Sequence, residues 1–366
     1  LKLIIQPGDG VLPLVKGIDN AKERIEIVIF RFDRTEIERA LKNAVGRGVF
    51  VHALIAYTNR GGEANLRKLE SRLLEDGATV ARTGSNLLRY HDKLMIIDRR
   101  ELYLVAFNLT YQDIERSRSF GIVTRHRRLV QEAIKLFEAD TTRRPYNAGR
   151  RDFVVSPVNA RRELAAFIRG ARKQLLIYDP KISDPAMLRL LEDRARAGVE
   201  IKVMGRVTRQ REKLEVSKLS RLRLHTRTMI RDRRLAFIGS QSLREIELDA
   251  RREVGVIFRD PKVVSRLVQT FEGDWALAQR AAAPAEPAGA PAGRAAKKVV
   301  KAITKDLPPV APVLQDAVRE VVGEKAQVDL DAKEVEETVK EAVKQAVTEV
   351  VKDVVEEVVE ENGEPK

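Results

Sequence analysis

What most limits the folds open to this chain is that its sequence contains the same unit twice. YHDKLMIID (Tyr90–Asp98) recurs as LHTRTMIRD (Leu224–Asp232), so His91 meets His225, Lys93 meets Arg227 and Asp98 meets Asp232, each 134 residues later. The register continues without a gap: Asn108 falls on Ser242, Ser119-Phe120-Gly121 on Glu253-Val254-Gly255, and FEAD at Phe137–Asp140 on FEGD at Phe271–Asp274. Chance similarity does not hold one spacing over about fifty residues. An earlier stretch repeats too, with Gly48-Val49 matching Gly198-Val199. Two copies of one unit can pack about a pseudo-twofold axis and bring equivalent loops face to face, as a symmetric dimer does.

Within each copy, strand and helix patterns alternate. Ile25–Phe32 reads as a strand, Ile37–Gly48 as a helix stopped by glycine, Val49–Ile55 as a strand and Leu66–Gly77 as a second helix with a glycine stop. The second copy gives a strand at Gln174–Pro180, a helix at Met187–Gly198 and a strand at Val199–Gly205. The expected fold class is α/β: two pseudo-twofold-related lobes, residues 1–150 and 151–280, each a mixed sheet flanked by helices. An apolar content of 43% in 366 residues is enough for two real cores.

Composition changes near residue 281. Ala281–Ala296 alternates Ala, Pro and Gly and has almost no bulky apolar group, so 281–296 reads as a disordered linker. Residues 297–366 read as a helical, partly disordered tail, in which Val335, Val339, Val343, Val347, Val351 and Val355 form an apolar stripe among Glu and Lys. The net charge of +14 is unevenly divided: the segment from Glu324 carries about −8 and Leu1–Arg280 about +20. A basic core favours anionic partners, namely phosphate esters, an anionic membrane surface or nucleic acid. The acidic tail is expected to dock on this core or on a partner helix. The chain has no cysteine, which excludes disulfides and thiolate metal sites, and no apolar run long enough to span a bilayer. It begins at Leu1, not Met, which reads as a leader removed from an exported or membrane-associated protein.

The repeated trio carries the chemistry. A histidine changes charge near neutral pH and serves as nucleophile or as general acid and base. Lys93 and Arg227 lie two residues beyond the histidines along a strand and so point to the same face, because strand side chains alternate. One offers a compact charge, the other a fork matched to phosphate oxygens. Such a set suits a phosphodiester.

The duplicated HxKxxxxD pattern resembles the phospholipase D superfamily over roughly Leu3–Trp275. The resemblance implies a cleft between the lobes and a phosphohistidine intermediate resolved by water or an alcohol, with no metal or other cofactor. It makes His91 the nucleophile and His225 the general acid. Lys93, Arg227 and Asn108 would bind phosphate, Asp98 and Asp232 would brace loops, and Ser240 and Glu253 would complete the site. This chain departs from the pattern: Arg227 replaces a lysine, Val105-Ala106 replaces the Gly239-Ser240 pair in the first copy, Ser242 replaces Asn108 in the second, and Ser119 stands where Glu253 stands. The expectation is that Glu253 makes His225 the better base, with Asp113 or Glu115 serving His91. The implied activity is that of a phosphodiesterase or phosphatidyltransferase acting on phospholipid. The alternatives are a metal-independent nuclease of the same superfamily and a catalytically degenerate scaffold that binds anionic lipid.

Overall fold

The computed structural model describes residues 1–57, 63–208 and 214–282. The linker and the acidic tail expected from the sequence lie outside the described residues, apart from the first two linker positions, which end a helix. The first copy runs β1 (Lys2–Gln6), α1 (Leu12–Asn20), β2 (Arg24–Ile29), α2 (Thr35–Gly46), β3 (Phe50–Ile55), α3 (Glu63–Glu75), β4 (Thr79–Arg82), β5 (Arg89–Tyr90), β6 (Leu94–Ile97), β7 (Glu101–Val105), α4 (Tyr111–Glu115), β8 (Ser117–Thr124) and α5 (Arg127–Thr141). The second runs β9 (Phe153–Ser156), α6 (Ala160–Arg169), β10 (Gln174–Ile182), α7 (Pro185–Arg196), β11 (Glu200–Val207), β12 (Glu215–Ser217), β13 (Arg223–Leu224), β14 (Arg227–Arg231), β15 (Leu235–Gly239), α8 (Glu245–Asp249), β16 (Arg251–Phe258) and α9 (Pro261–Ala282). Residues 1–282 form one unit. Every strand has its counterpart eight strands later.

The two mixed sheets show how the copies interlock. One follows the order β1-β8-β7-β6-β2-β3-β4, the other β12-β11-β10-β14-β15-β16-β5, with β9 also on β16. The fifth strand of each copy leaves its own sheet: β5 pairs with β16, and β13 pairs with β8. The central strands are apolar on both faces, as sheets covered on both sides require. On β2, Ile25, Ile27 and Ile29 enter a core under α1, α2 and α3, whereas Val28 joins a core shared by both sheets. That shared core holds Phe120, Phe137, Phe153, Tyr178 and Phe271, all essentially inaccessible.

The sequence reading ran one strand through the motif. The structure breaks it: His91–Lys93 is a link between β5 and β6, so the histidine and lysine are placed by that link and not by strand alternation. A tight turn then joins β6 to β7. Asp98 and Arg99 at its centre both have positive φ, 51° and 52°, the backbone hand that hairpin turns favour and that Asp tolerates. The second copy repeats this at Asp232 and Arg233, at 52° and 56°.

Candidate active site

Each crossing strand carries a histidine to the edge of the opposite sheet. Parallel pairing of Arg89 with Arg251 and Tyr90 with Arg252 brings the His91 N–H to the Arg252 carbonyl at 2.8 Å. The next residue on β16 is Glu253, whose carboxylate meets His91 Nδ1 at 2.9 Å. The reciprocal pairing of β13 with β8 brings the His225 N–H to the Arg118 carbonyl at 3.1 Å, beside Ser119. Two cross-lobe ion pairs pin the crossings. The Arg252 guanidinium donates to both oxygens of Asp140 at 3.0 Å and to the Ser156 carbonyl at 3.1 Å. Its counterpart Arg118 donates to Asp274 at 2.7 and 3.0 Å and to the Gln6 carbonyl at 2.9 Å.

This arrangement corrects the expected division of carboxylates. Glu253 holds His91, not His225. Asp113 holds His225, not His91, with Oδ2 at 3.0 Å from Nε2. Glu115 pairs with Arg34. The reason is the strand crossing: a carboxylate on β16 faces the histidine delivered there by β5. Ser119, at the position equivalent to Glu253, donates its hydroxyl to the His225 carbonyl at 3.0 Å and leaves the ring to another acid. Asp113 fills that need from the start of α4, where it also accepts from the Asn108 N–H at 2.8 Å and the Asn108 amide at 2.7 Å. Its counterpart Glu247 accepts from the Ser242 N–H at 2.8 Å, so the backbone contact is common to both copies while the histidine contact belongs to Asp113.

The electrostatics follow from burial. Burial, with Lys93 and Arg227 nearby, holds the His91 imidazole well below its ordinary value, so the ring is neutral near pH 7. Burial likewise lowers His225 to about 4 against the pull of Asp113, and raises the Glu253 carboxyl to about 7, with Lys93 and Arg227 opposing. Burial opposes ionisation of Asp113, but His225, the Asn108 N–H and the Arg223 guanidinium together outweigh it and keep that carboxyl below the usual range. The Ser240 hydroxyl accepts from the Val254 N–H at 3.1 Å and helps to lower the Glu253 carboxyl against the effect of burial. Both histidines are buried but not sealed: their side chains are 9% and 10% exposed.

Cations and unsatisfied atoms complete the cluster. Lys93 Nζ donates to the His91 carbonyl at 2.6 Å, and burial lowers its pKa to about 8. Arg227 Nε donates to Ser242 Oγ at 3.1 Å, and another of its nitrogens lies 3.8 Å from Glu247. One guanidinium nitrogen of Arg227 and the amide oxygen of Asn108 are buried with no partner. An unpaired buried donor beside two histidines is a cradle for an anionic oxygen. Asn108 Nδ2 lies 3.5 Å from His225 Nε2, so the candidates His91, Lys93, Asn108, His225, Arg227, Ser240 and Glu253 gather in one place. Asp98 and Asp232 do not join them. They sit at the far ends of β6 and β14, each accepting three consecutive backbone N–H groups at the start of a neighbouring strand: Lys22, Glu23 and Arg24 for one, Arg172, Lys173 and Gln174 for the other.

Comparison with known proteins agrees with this picture. The family model described as "Cardiolipin synthase, PLD-like domain" matches residues 14–141 and 164–275, more than half of the chain. Mitochondrial cardiolipin hydrolase of Danio rerio is 28% identical over 130 residues, covering 34% of this chain and 56% of that protein. Polyphosphate kinase 1 of Chlorobaculum tepidum is 28% identical over 225 residues, covering 56% of this chain and 32% of that protein. The chain thus spans about half and about a third of the length of these relatives. The crystal structure of polyphosphate kinase from Porphyromonas gingivalis shares the fold, with a TM-score of 0.63 at 20% identity over 75% of this chain and 50% of that one.

Proposed function

The chain belongs to the phospholipase D-like family, and from its paired histidines we propose that it is a phosphodiesterase or phosphatidyltransferase that acts on phospholipid through a phosphohistidine. The observation that carries this reading is the pair of imidazoles, each held by a carboxylate of the other lobe, around a guanidinium nitrogen with no partner. Glu253 accepts from Nδ1–H of His91, which leaves the Nε2 lone pair to attack phosphorus. The phosphorus–oxygen bond to the leaving alcohol breaks as the nitrogen–phosphorus bond forms. A phosphodiester anion beside His225 raises its pKa, and the ring then passes a proton to the leaving oxygen. The neutral ring next takes a proton from water or an alcohol, which attacks phosphorus and frees His91. Lys93, Arg227 and the Asn108 amide bind the phosphoryl oxygens, while Asp98 and Asp232 hold the hairpins from outside the cleft. Intact-mass measurement after mixing with phosphatidyl vesicles tests the reading: a phosphatidyl adduct on the wild type supports it, and its absence with head-group release undetected overturns it.

A nuclease is the second reading, favoured by the charge of about +20 on Leu1–Arg280. Digestion of single-stranded DNA in EDTA with vesicles left intact would select it.

Two further results are expected at this site. Rate against pH should rise near 7, as Glu253 ionises and fixes the His91 tautomer, and fall near 8, as Lys93 loses its proton. In Lys93→Arg the falling limb should move to higher pH, because a guanidinium keeps its charge; kcat/KM profiles of the two proteins check this. Asp113→Asn should lower kcat by about 10- to 100-fold, because a buried histidine loses its orienting charge, whereas Glu115→Gln should change kcat little; steady-state assays of the two variants check the difference.

A further inference from the structure

At the end of β14 remote from the histidines, a groove of about 1020 Å³ is lined by Arg169, Arg172, Lys173, Arg194, Arg231, Arg233, Arg234 and Arg259. Its one acid, Asp232, is occupied by backbone N–H groups. Of the eight cations, only Arg233 makes an ion pair with a described carboxylate, Glu272. Several guanidiniums elsewhere are paired, Arg72 with Glu38, Arg82 with Glu70 and Arg161 with Asp184 and Asp249, whereas here seven cations without such a partner share one groove.

The duplication supplies an internal control. Asp98 caps the β2 entry as Asp232 caps the β10 entry, so the two turns are equivalent residue for residue. In the first copy the charges are neutralised: Arg99 pairs with Glu26 and Glu138, Arg100 with Glu23, and Arg125 with Glu101. In the second copy the places of Glu23, Glu26 and Glu101 are taken by Lys173, Leu176 and Leu235. Arg169, Arg194 and Arg231 stand where the first copy has Asp19, Ala44 and Ile97. The second turn keeps Glu272 in the place of Glu138 but lacks the other three acids and carries three additional cations on an equivalent scaffold. Burial holds the Arg231 guanidinium below its ordinary pKa, with Asp232 opposing and Arg259 and Arg172 adding to the effect.

We propose that this groove binds the phosphate backbone of a nucleic-acid strand, independently of its base sequence. Forked guanidiniums match phosphate oxygens, and a row of them fits a linear run of phosphates better than a single anion. The groove offers only Gly170, Ala171 and Leu235 as apolar lining, so it has nothing to insert into a bilayer and no aromatic platform on which bases could stack. It also lies at the opposite end of the strands from the cleft, so docking it on a membrane would turn the histidines away from that membrane. The site is separate from the reaction proposed above and does not depend on it.

The test is fluorescence anisotropy of a labelled 30-mer of mixed-sequence single-stranded DNA against the full chain over a range of NaCl. The comparison proteins are Arg172→Gln/Lys173→Gln/Arg234→Gln and, as a control in the first copy, Lys22→Gln/Arg100→Gln. Three lost phosphate contacts should reduce the slope of log K against log[salt] by about 2 and weaken binding about 100-fold at 0.1 M salt. The control should bind as the wild type does, and a second mixed sequence should bind equally. An unchanged slope in the triple variant, an equal loss in the control, or binding of anionic vesicles in place of DNA would overturn the assignment. Circular dichroism and head-group release by the triple variant should match the wild type; with a folding defect the test moves to Arg234→Gln alone, which should reduce the slope by about 0.7, and an unchanged slope there would overturn the assignment.

Discussion

His91→Asn should lower turnover of a phospholipid diester by roughly 10⁴-fold or more and remove any phosphoenzyme, because a missing nucleophile cannot be replaced by the groups around it. His225→Asn should fail differently. With His91 neutral and still held through Nδ1 by Glu253, an activated diester with a good leaving group should still phosphorylate it. The adduct should then persist, since no neutral imidazole is left to deprotonate water. Rapid-quench intact mass on the two variants with such a diester distinguishes the roles. An adduct on His91→Asn and none on His225→Asn would reverse them.

Arg252→Ala should cost about 3–5 kcal/mol of stability, the usual result of leaving one partner of a buried ion pair alone. Burial and Asp92 already raise the Asp140 carboxyl to about 7, and without its two-pronged donor this 1% exposed group would lose both bonds and have to take up a proton. Arg118→Ala should cost less, because Asp274 retains a 2.7 Å hydrogen bond from the Tyr178 hydroxyl and is somewhat more exposed. An Arg252→Met/Asp140→Leu double variant should recover much of the loss, since replacing both charges removes the desolvation penalty along with the attraction. Denaturant unfolding of the three proteins checks this order. Activity should fall with Arg252 even where the fold survives, because the residue lies between the β5–β16 pairing and Glu253 and so fixes the distance from that carboxylate to His91.

Much of this architecture was legible in the sequence because duplication leaves a long record. A single spacing tied together residues as distant as His91 and Asp274, and alternating periodicity separated strands from helices. The crossing of β5 and β13 was not legible. A two-residue strand has no periodicity, and its pairing partner is chosen by tertiary packing. The misplacement of Glu253 and Asp113 followed from that one missing fact. The ion pairs that pin the crossing were only half legible: the repeat matches Arg118 with Arg252 and Asp140 with Asp274, but nothing in it says that each arginine pairs with the acid of the other copy, 112 and 156 residues away. The basic groove was hidden for another reason. Its cations come from α6, the loop before β10, α7, β14, the turn after β14 and the residue after β16, and in a chain with 68 Lys and Arg no single run of them marks the groove.

The strand crossing also bears on how such a chain can change over time. If two identical subunits were joined this way, any substitution would strike both histidine supports at once, and a serine at the Glu253 position would disarm the whole assembly. Covalent linkage of the halves breaks that correspondence. One half keeps its ancestral acid while the other is free to lose it and recruit a neighbour, as Ser119 and Asp113 illustrate. A tandem chain can therefore give its two imidazoles different surroundings and separate tasks, a freedom that strict symmetry denies.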